Sequence, residues 1–133
     1  MNHLSNNTLF VISAFKGNNL KADVVYSNEL EEILKDKGDT YVRSEGKWEG
    51  KEEEVFILSA PAGVGNDIVK ATLLELADCF NQECIAEIDS NNSGLYLHYT
   101  NGETQYAGKF HLRAEKPSGD YTLINGLYLE LTN

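Results

Sequence analysis

The chain has 133 residues, of which 41% are hydrophobic and 24% are charged. This length and composition predict one folded domain over residues 1–133 and exclude an intrinsically disordered chain. The 21 acidic and 11 basic residues give a net charge of −10, which disfavours nucleic acid and anionic lipid as partners and favours cationic ligands. The sequence shows neither a bilayer-spanning apolar segment nor a secretory leader, so a cytoplasmic protein without membrane association is expected.

The first half of the chain predicts two inner strands with a helix between them. Residues 8–15 form the β-rich run TLFVISAF, and residues 55–60 form a second such run, VFILSA. The best helix between them begins at Ser27, which can cap its first turn, and ends at Gly38, which can adopt a left-handed conformation. A short strand is predicted over residues 39–44, ahead of a polar loop.

The second half of the chain predicts another helix and then hairpins. Apolar residues recur on one helical face over residues 67–80. Strands are expected at 83–90 and 95–100, and the turn signal NNSG between them predicts that they pair as a hairpin. The pair Asn125-Gly126 is the strongest short hairpin signal in the chain, and it separates the last two strands.

The order β-α-β-β-α-β predicts an α+β fold, a ferredoxin-like sandwich in which two helices cover one face of an antiparallel sheet, with β-hairpins appended. The aromatic-rich strands GLYLHY and NGLYLEL would leave apolar surface on the outside of so small a monomer. A closed oligomer is therefore expected.

The segment FILSAPAGVGND, residues 56–67, has the outline of a nucleotide-binding turn. Gly63 and Gly65 fit the first two glycines of a dinucleotide fingerprint, but Ile68 stands at the third, and the pair at 66–67 replaces the Lys-Ser/Thr of a P-loop. An aspartate at a helix N-terminus also places negative charge where an anion would bind. The segment is therefore interpreted as a strand-to-helix turn capped by residue 66 or 67.

Other catalytic or metal-binding patterns are weak. His3, His98 and His111 are far apart in sequence, and none has a partner at metal-ligand spacing. Cys79 and Cys84 are too far apart for a CxxC pair, and they are interpreted as small core residues in a reducing compartment. No metal is expected.

The loop 44–54, SEGKWEGKEEE, places five glutamates around Trp48 and leads directly into an inner strand. Charge runs before strands are usually solvated and act against edge-to-edge aggregation, and composition alone favours that interpretation. Alternatively, one glutamate at the strand entrance, beside the aromatic ring, holds a cation such as an ammonium or sulfonium group.

Three stretches carry a resemblance to a known family. They are FVISAFKGNN near the N-terminus, GKWEGKEEEVFIL in the middle, and FNQECIAEIDSNNSGLYLHY after the second predicted helix. Together they resemble the phage-encoded S-adenosylmethionine lyases, long described as S-adenosylmethionine hydrolases, over roughly residues 9–108. The resemblance implies a PII-like homotrimer of ferredoxin-like subunits with ligand sites between the subunits. The predicted element order agrees with such a subunit but does not itself show a trimer.

The resemblance implies roles for residues at matching positions. Ser13-Ala14-Phe15 matches the VSAF-type sequence of the family's first strand and would form part of the pocket wall. Glu53 matches the family's functional glutamate ahead of a strand, and Glu54 is the alternative if the alignment shifts by one. Trp48 stands where family members have a tyrosine, so this chain lacks a phenolic hydroxyl at that point of the binding site.

Gln82, followed by Glu83 and Cys84, matches the family's Gln-acidic-Cys triplet and would orient the substrate's amino-acid tail. The implied reaction is cleavage of S-adenosylmethionine to 5′-methylthioadenosine and L-homoserine lactone by intramolecular displacement. This reaction needs no cofactor, and none is expected. Glu53 would hold the ammonium or sulfonium group; in a hydrolysis it would instead activate water as a general base.

The biological role implied by the resemblance is depletion of host S-adenosylmethionine, which counters restriction-modification. Two other classes remain open: a PII-like nucleotide-binding module without turnover, which the turn 63–67 would contact, and an acidic anti-restriction inhibitor protein. The 11 basic residues are interleaved with the acidic ones, which speaks against mimicry of DNA.

Overall fold

The computed structural model describes residues 8–16, 19–38, 40–60, 64–89 and 93–132. These residues form two helices and eight strands. In chain order the elements are β1 (Thr8–Ser13), α1 (Leu20–Asp36), β2 (Tyr41–Trp48), β3 (Lys51–Ala60), α2 (Val64–Cys79), β4 (Cys84–Asp89), β5 (Gly94–Tyr99), β6 (Thr104–Arg113), β7 (Tyr121–Ile124) and β8 (Leu127–Thr132). Within the described residues, no helix is long and apolar enough to cross a membrane.

The eight strands close into an antiparallel barrel in the order β1-β3-β2-β7-β8-β6-β5-β4. The predicted ferredoxin-like sandwich is therefore wrong, although the first six elements follow the predicted order. The reason is that the predicted appendages are part of the sheet. The β4–β5 and β7–β8 hairpins form as predicted, and β6 pairs with β5 and β8 while β7 pairs with β2, which completes the circle.

Both faces of the first strands are buried, which explains their continuous apolar sequence. In β1, Phe10 and Ile12 face the helices, whereas Leu9 and Val11 face the barrel interior. The same alternation in β3 divides its apolar run between the two layers. One core cluster thus joins the barrel to α1 and α2, and a second fills the barrel.

Closure of the barrel also removes the sequence-based argument for an oligomer. The strands that were expected to expose apolar surface, β5 and β8, turn Leu95, Leu97 and Leu129 inward, where they are almost fully buried. The second face of the sheet is therefore covered by the barrel itself and requires no neighbouring subunit.

Helix α1 begins seven residues earlier than the predicted Ser27, at Leu20. Its N-cap is Asn19, whose side chain accepts a hydrogen bond from the backbone N–H of Ala22 at 3.2 Å. Ser27 instead lies within the helix, fully buried, and donates to Glu54 Oε1 at 2.5 Å.

Helix α2 begins at Val64, so the predicted cap at residue 66 or 67 is wrong because both positions lie within the helix. Residues 61–63 of the predicted strand-to-helix turn lie outside the described residues.

Gly46 of β2 allows a close approach between β2 and β7. A Cβ atom at this position would lie 3.0 Å from the backbone oxygen of Tyr121 and 3.6 Å from Val55 Cγ1. We expect Gly46→Ala to lower the free energy of unfolding by about 1–3 kcal/mol through overpacking. Thermal or urea unfolding measures this loss, with Gly119→Ala as the control because a Cβ there meets nothing within 4 Å. Equal stability of the two variants would contradict the expectation.

Candidate active site

A cavity of about 640 Å³ opens at one end of the barrel. Its mouth is formed by the end of β1, the tip of the β2–β3 hairpin, the residues after α2 and the segment entering β7. Its floor is apolar and is made by inward-facing side chains, namely Val11, Val55, Ile88, Leu95, Leu97, Leu129 and Leu131. Eight-stranded barrels have room for one small ligand, and this volume lies in the range of small-molecule sites.

Glu53 places a carboxyl group at the entrance of this apolar cavity. It lies on the same face of β3 as Val55, and its partner across the ladder is Gly46, which has no side chain. Burial raises the pKa of Glu53 to about 7, and the negative charges of Asp120 and Asp23 add to this shift. A carboxyl group of this kind gains most from a cationic ligand, which would favour its ionised form.

The end of β1 forms one wall of the mouth and is fixed by two polar side chains. The Ser13 hydroxyl donates to the backbone oxygen of Glu54 at 2.9 Å and accepts from the backbone N–H of Phe15 at 3.0 Å. Gln82 Nε2 donates to the backbone oxygen of Phe15 at 2.9 Å. Ser13, Phe15 and Gln82 therefore form one connected wall.

Gln82 reaches the mouth because of the way α2 ends. Asn81 has φ of 56° and its N–H donates to the backbone oxygen of Asp78, while the N–H of Gln82 donates to that of Ala77 at 2.8 Å. This pair of bonds around a left-handed residue is a Schellman cap, which asparagine tolerates well. The cap turns the chain sharply, so Gln82 lies beside the cavity.

Trp48 stands at the rim of the cavity as the last residue of β2 and is 36% exposed. The two residues after it, Glu49 and Gly50, have φ of 51° and 80°, which is typical of the tight two-residue turn of a β-hairpin. Trp48 and Glu53 thus lie on the two strands of one hairpin.

Two of the sequence-predicted residues lie away from the cavity lining. Ala14 is fully buried in the core cluster between the barrel and the helices. Glu54 points to the helix side of β3, where Arg43 Nη2 donates to Glu54 Oε1 at 2.6 Å and Ser27 donates to the same oxygen. The hydrogen bond from Arg43 is the main cause of a lowered pKa of Glu54.

The structure adds two cavity residues to which the sequence assigned no part in the site. Cys84, at the start of β4, lines the cavity, and burial raises the pKa of its thiol to about 11. Cys79 is exposed, so the prediction that both cysteines lie in the core is wrong. Asp120 lines the cavity immediately before β7. Its position depends on a pairing between distant segments, and no local signal could have revealed it.

The histidines of the described segments lie on strands. His98 Nε2 lies 2.6 Å from Glu87 Oε1 and its Nδ1 lies 3.0 Å from Thr104 Oγ1, so it joins three neighbouring strands. His111 lies on β6, near Glu130. His3 lies outside the described residues. In the described ranges, no group of three or more His, Cys, Asp and Glu side chains is arranged to hold a metal ion.

The fold and the cavity together define a small closed barrel with a ligand-sized cavity at one end, which has an apolar floor and a carboxyl group at the entrance. Residues 10–131 match the model of the S-adenosylmethionine lyase family, and the chain belongs to this family. It is therefore an S-adenosylmethionine lyase, and S-adenosylmethionine is its substrate. Comparison with curated proteins gives no match.

Membership of this family favours an enzyme over the nucleotide sensor and the inhibitor protein. The substrate also suits the cavity, because S-adenosylmethionine combines cationic sulfonium and ammonium groups with an uncharged adenosine part that carries a flat aromatic base. The roles of individual residues stay predictions. Glu53, Gln82, Ser13, Phe15 and Trp48 all line the same cavity.

Proposed function

We propose that the enzyme converts S-adenosylmethionine to 5′-methylthioadenosine and L-homoserine lactone in this cavity. An oxygen of the substrate's own carboxylate attacks its γ-carbon, the bond from that carbon to sulfur breaks, and sulfur keeps the electron pair as a neutral thioether. The observation that carries the proposal is the half-buried Glu53 carboxyl group at the entrance of a cavity with an apolar floor. The enzyme's task is to fold the flexible tail into attack geometry.

The charge changes of the reaction indicate which cation Glu53 should hold. The sulfonium loses its positive charge in the transition state, so a carboxylate close to sulfur would stabilise the substrate more than the transition state. The α-ammonium group keeps its charge throughout. We therefore assign Glu53 to the ammonium group, where it restrains the tail without opposing the displacement.

Gln82 and the cavity floor complete the proposed site. Gln82 Nε2 already donates a hydrogen bond to the backbone oxygen of Phe15, so Gln82 Oε1 is the atom available to accept a hydrogen bond from the ammonium group. The apolar floor would take the methylthioadenosine part and keep water from the attacking carboxylate. Trp48 at the rim can contact a cation through its ring face.

Labelled water tests the reaction against hydrolysis. The purified protein is incubated with S-adenosylmethionine in water enriched in oxygen-18, and the products are followed by mass spectrometry from the earliest times. Displacement gives unlabelled lactone first, and its later opening places label in the carboxylate of homoserine. Label in the alcohol oxygen of homoserine would show direct attack by water at the γ-carbon and overturn the proposal.

The raised pKa of Glu53 predicts a pH profile. Since the ionised carboxylate binds the cation, kcat/KM should rise about tenfold per pH unit below pH 7 and level off above it. The bound cation lowers the pKa of Glu53 in the complex, so kcat should change much less over the same range. Steady-state kinetics from pH 5.5 to about 8.5 measure both. A flat kcat/KM profile in the wild type would contradict the role of Glu53.

We also propose the finer biological setting: a phage-encoded cytoplasmic enzyme that depletes host S-adenosylmethionine and so counters restriction-modification. A homotrimer belongs to the same proposal. It is supported by exposed apolar side chains on the two helices, namely Leu20, Val24, Val25 and Ile68. Light scattering coupled to gel filtration tests the trimer, and a monomer mass would reject it.

A further inference from the structure

The tip of the β2–β3 hairpin is tied across the cavity mouth by a residue distant in sequence. Asp120 Oδ2 accepts from the backbone N–H of Glu49 at 3.0 Å, and Asp120 Oδ1 accepts from that of Gly50 at 3.3 Å. Lys47 Nζ donates to the backbone oxygen of Ser118 at 3.1 Å. The segment before β7 therefore holds both residues of the hairpin turn.

These contacts lie beside the shortest strand pairing of the barrel, between β2 and β7. The β2–β7 register has only the pairs Gly46↔Thr122 and Lys47↔Tyr121, whereas β2 pairs with β3 along its whole length. Hydrogen bonds to an ionised acceptor are stronger than those between neutral groups. The Asp120 carboxylate is thus a principal restraint on the free end of the hairpin.

Asp120 also lines the cavity, so its negative charge acts on the other groups there. The charged and titratable groups that line the cavity with Glu53 are Lys16, Lys47, Glu49, Lys51, Glu52, Glu83, Cys84, Asp120 and Tyr121, and Asp23 also acts on Glu53 through its charge. Among them, Asp120 both contacts the hairpin backbone and raises the pKa of Glu53 by charge repulsion. Removal of the Asp120 carboxylate should therefore change both the position of the hairpin tip and the pKa of Glu53.

We infer that Asp120 is a positioning residue for the lyase reaction, which holds the hairpin carrying Trp48 and Glu53 over the bound substrate. This inference rests on the proposed function. It assigns the segment before β7 to the site, although that segment is 70 residues from the hairpin turn in sequence. Asp120 acts through the hairpin and makes no contact with the reacting atoms.

The test uses the full chain with Asp120→Asn and Asp120→Ala, and Asp36→Asn as a control that removes one exposed charge at the end of α1. Steady-state kinetics with S-adenosylmethionine give KM, kcat and the pH profile. Hydrogen exchange of the free proteins reports the backbone N–H groups of residues 46–54. For both Asp120 variants we expect a KM raised about tenfold, with kcat changed much less, and faster exchange at the hairpin.

The pH profile adds a readout that a purely structural role would not change. With the Asp120 charge removed, the midpoint of kcat/KM should move to lower pH in both variants, whereas Asp36→Asn should leave it in place. Unchanged KM, or unchanged hairpin exchange, in a folded Asp120→Ala protein would overturn the inference. If the wild type does not cleave S-adenosylmethionine, the proposed function fails, while exchange still reports whether Asp120 restrains the hairpin.

Discussion

Glu53→Gln is expected to lower kcat/KM for S-adenosylmethionine by about 100-fold or more, in the range measured when one preorganised electrostatic contact is removed. The amide keeps the size of the side chain but cannot neutralise the ammonium group. It should also flatten the pH profile. Product formation followed by mass spectrometry measures the loss, and circular dichroism confirms that the variant is folded.

Glu54→Gln is the matched control, because it makes the same chemical change one residue away and on the other face of β3. Glu54→Gln weakens the ion pair between Glu54 and Arg43 beside α1, so the free energy of unfolding should fall modestly. The value of kcat/KM should stay within about threefold of the wild type. A large loss in Glu54→Gln with an active Glu53→Gln would reverse the assignment of the two glutamates.

Stability provides an independent check on Glu53. Its pKa is raised from 4.5 to about 7 in the folded protein, so ionisation is unfavourable in the fold. The destabilisation is absent below pH 4.5, grows as pH rises toward 7, and is complete above it, at about 3 kcal/mol. Glu53→Gln should therefore be more heat-stable than the wild type at pH 8 and lose this advantage at acidic pH.

The second large effect concerns the core between the barrel and the helices. Phe56 is fully buried there, with the Tyr41 ring 5.7 Å away edge-on and the Arg43 guanidinium 5.6 Å from its centre. Phe56→Ala should lower the free energy of unfolding by about 3–5 kcal/mol. That is a large part of the 5–15 kcal/mol typical of whole domains, so the helices are expected to loosen.

Denaturant unfolding and helical circular dichroism measure this effect. Val42→Ala is the control because Val42 lies on the neighbouring strand but is 56% exposed, and surface changes of this kind usually stay within about 0.5 kcal/mol. Similar losses in both variants would show that the cluster around Phe56 does not dominate the stability of the helical layer.

The local turn signals predicted two hairpins correctly, whereas the helix starts predicted from local signals were wrong. Asn125-Gly126 forms the tight turn of the β7–β8 hairpin, and its φ angles of 49° and 81° are the positive values that such a turn requires. The start of α1 was missed because its first turns carry exposed Val24 and Val25, which obscure the amphipathic pattern. Ser27 then offered a cap signal at the point where the pattern became regular, although Asn19 is the actual cap.

The barrel could not be predicted because its closure depends on pairing between distant segments. Gly46 pairs with Thr122, and nothing near either residue specifies the other. For the site, strand alternation places Glu53 and Glu54 on opposite faces of β3, but only the closed barrel shows which face is the cavity. The resemblance predicted Glu53, with Glu54 as the alternative, and the closed barrel shows that Glu53 is the one on the cavity face.

Closure of the sheet also limits how the protein can pair with strands of other chains. Each of the eight strands pairs on both sides, so no strand of the barrel presents a full edge like that of an open sheet. Growth by strand addition, as in domain swapping or amyloid, would first have to separate two paired strands. The two-pair ladder between β2 and β7 is the point where that separation requires the fewest backbone bonds to break.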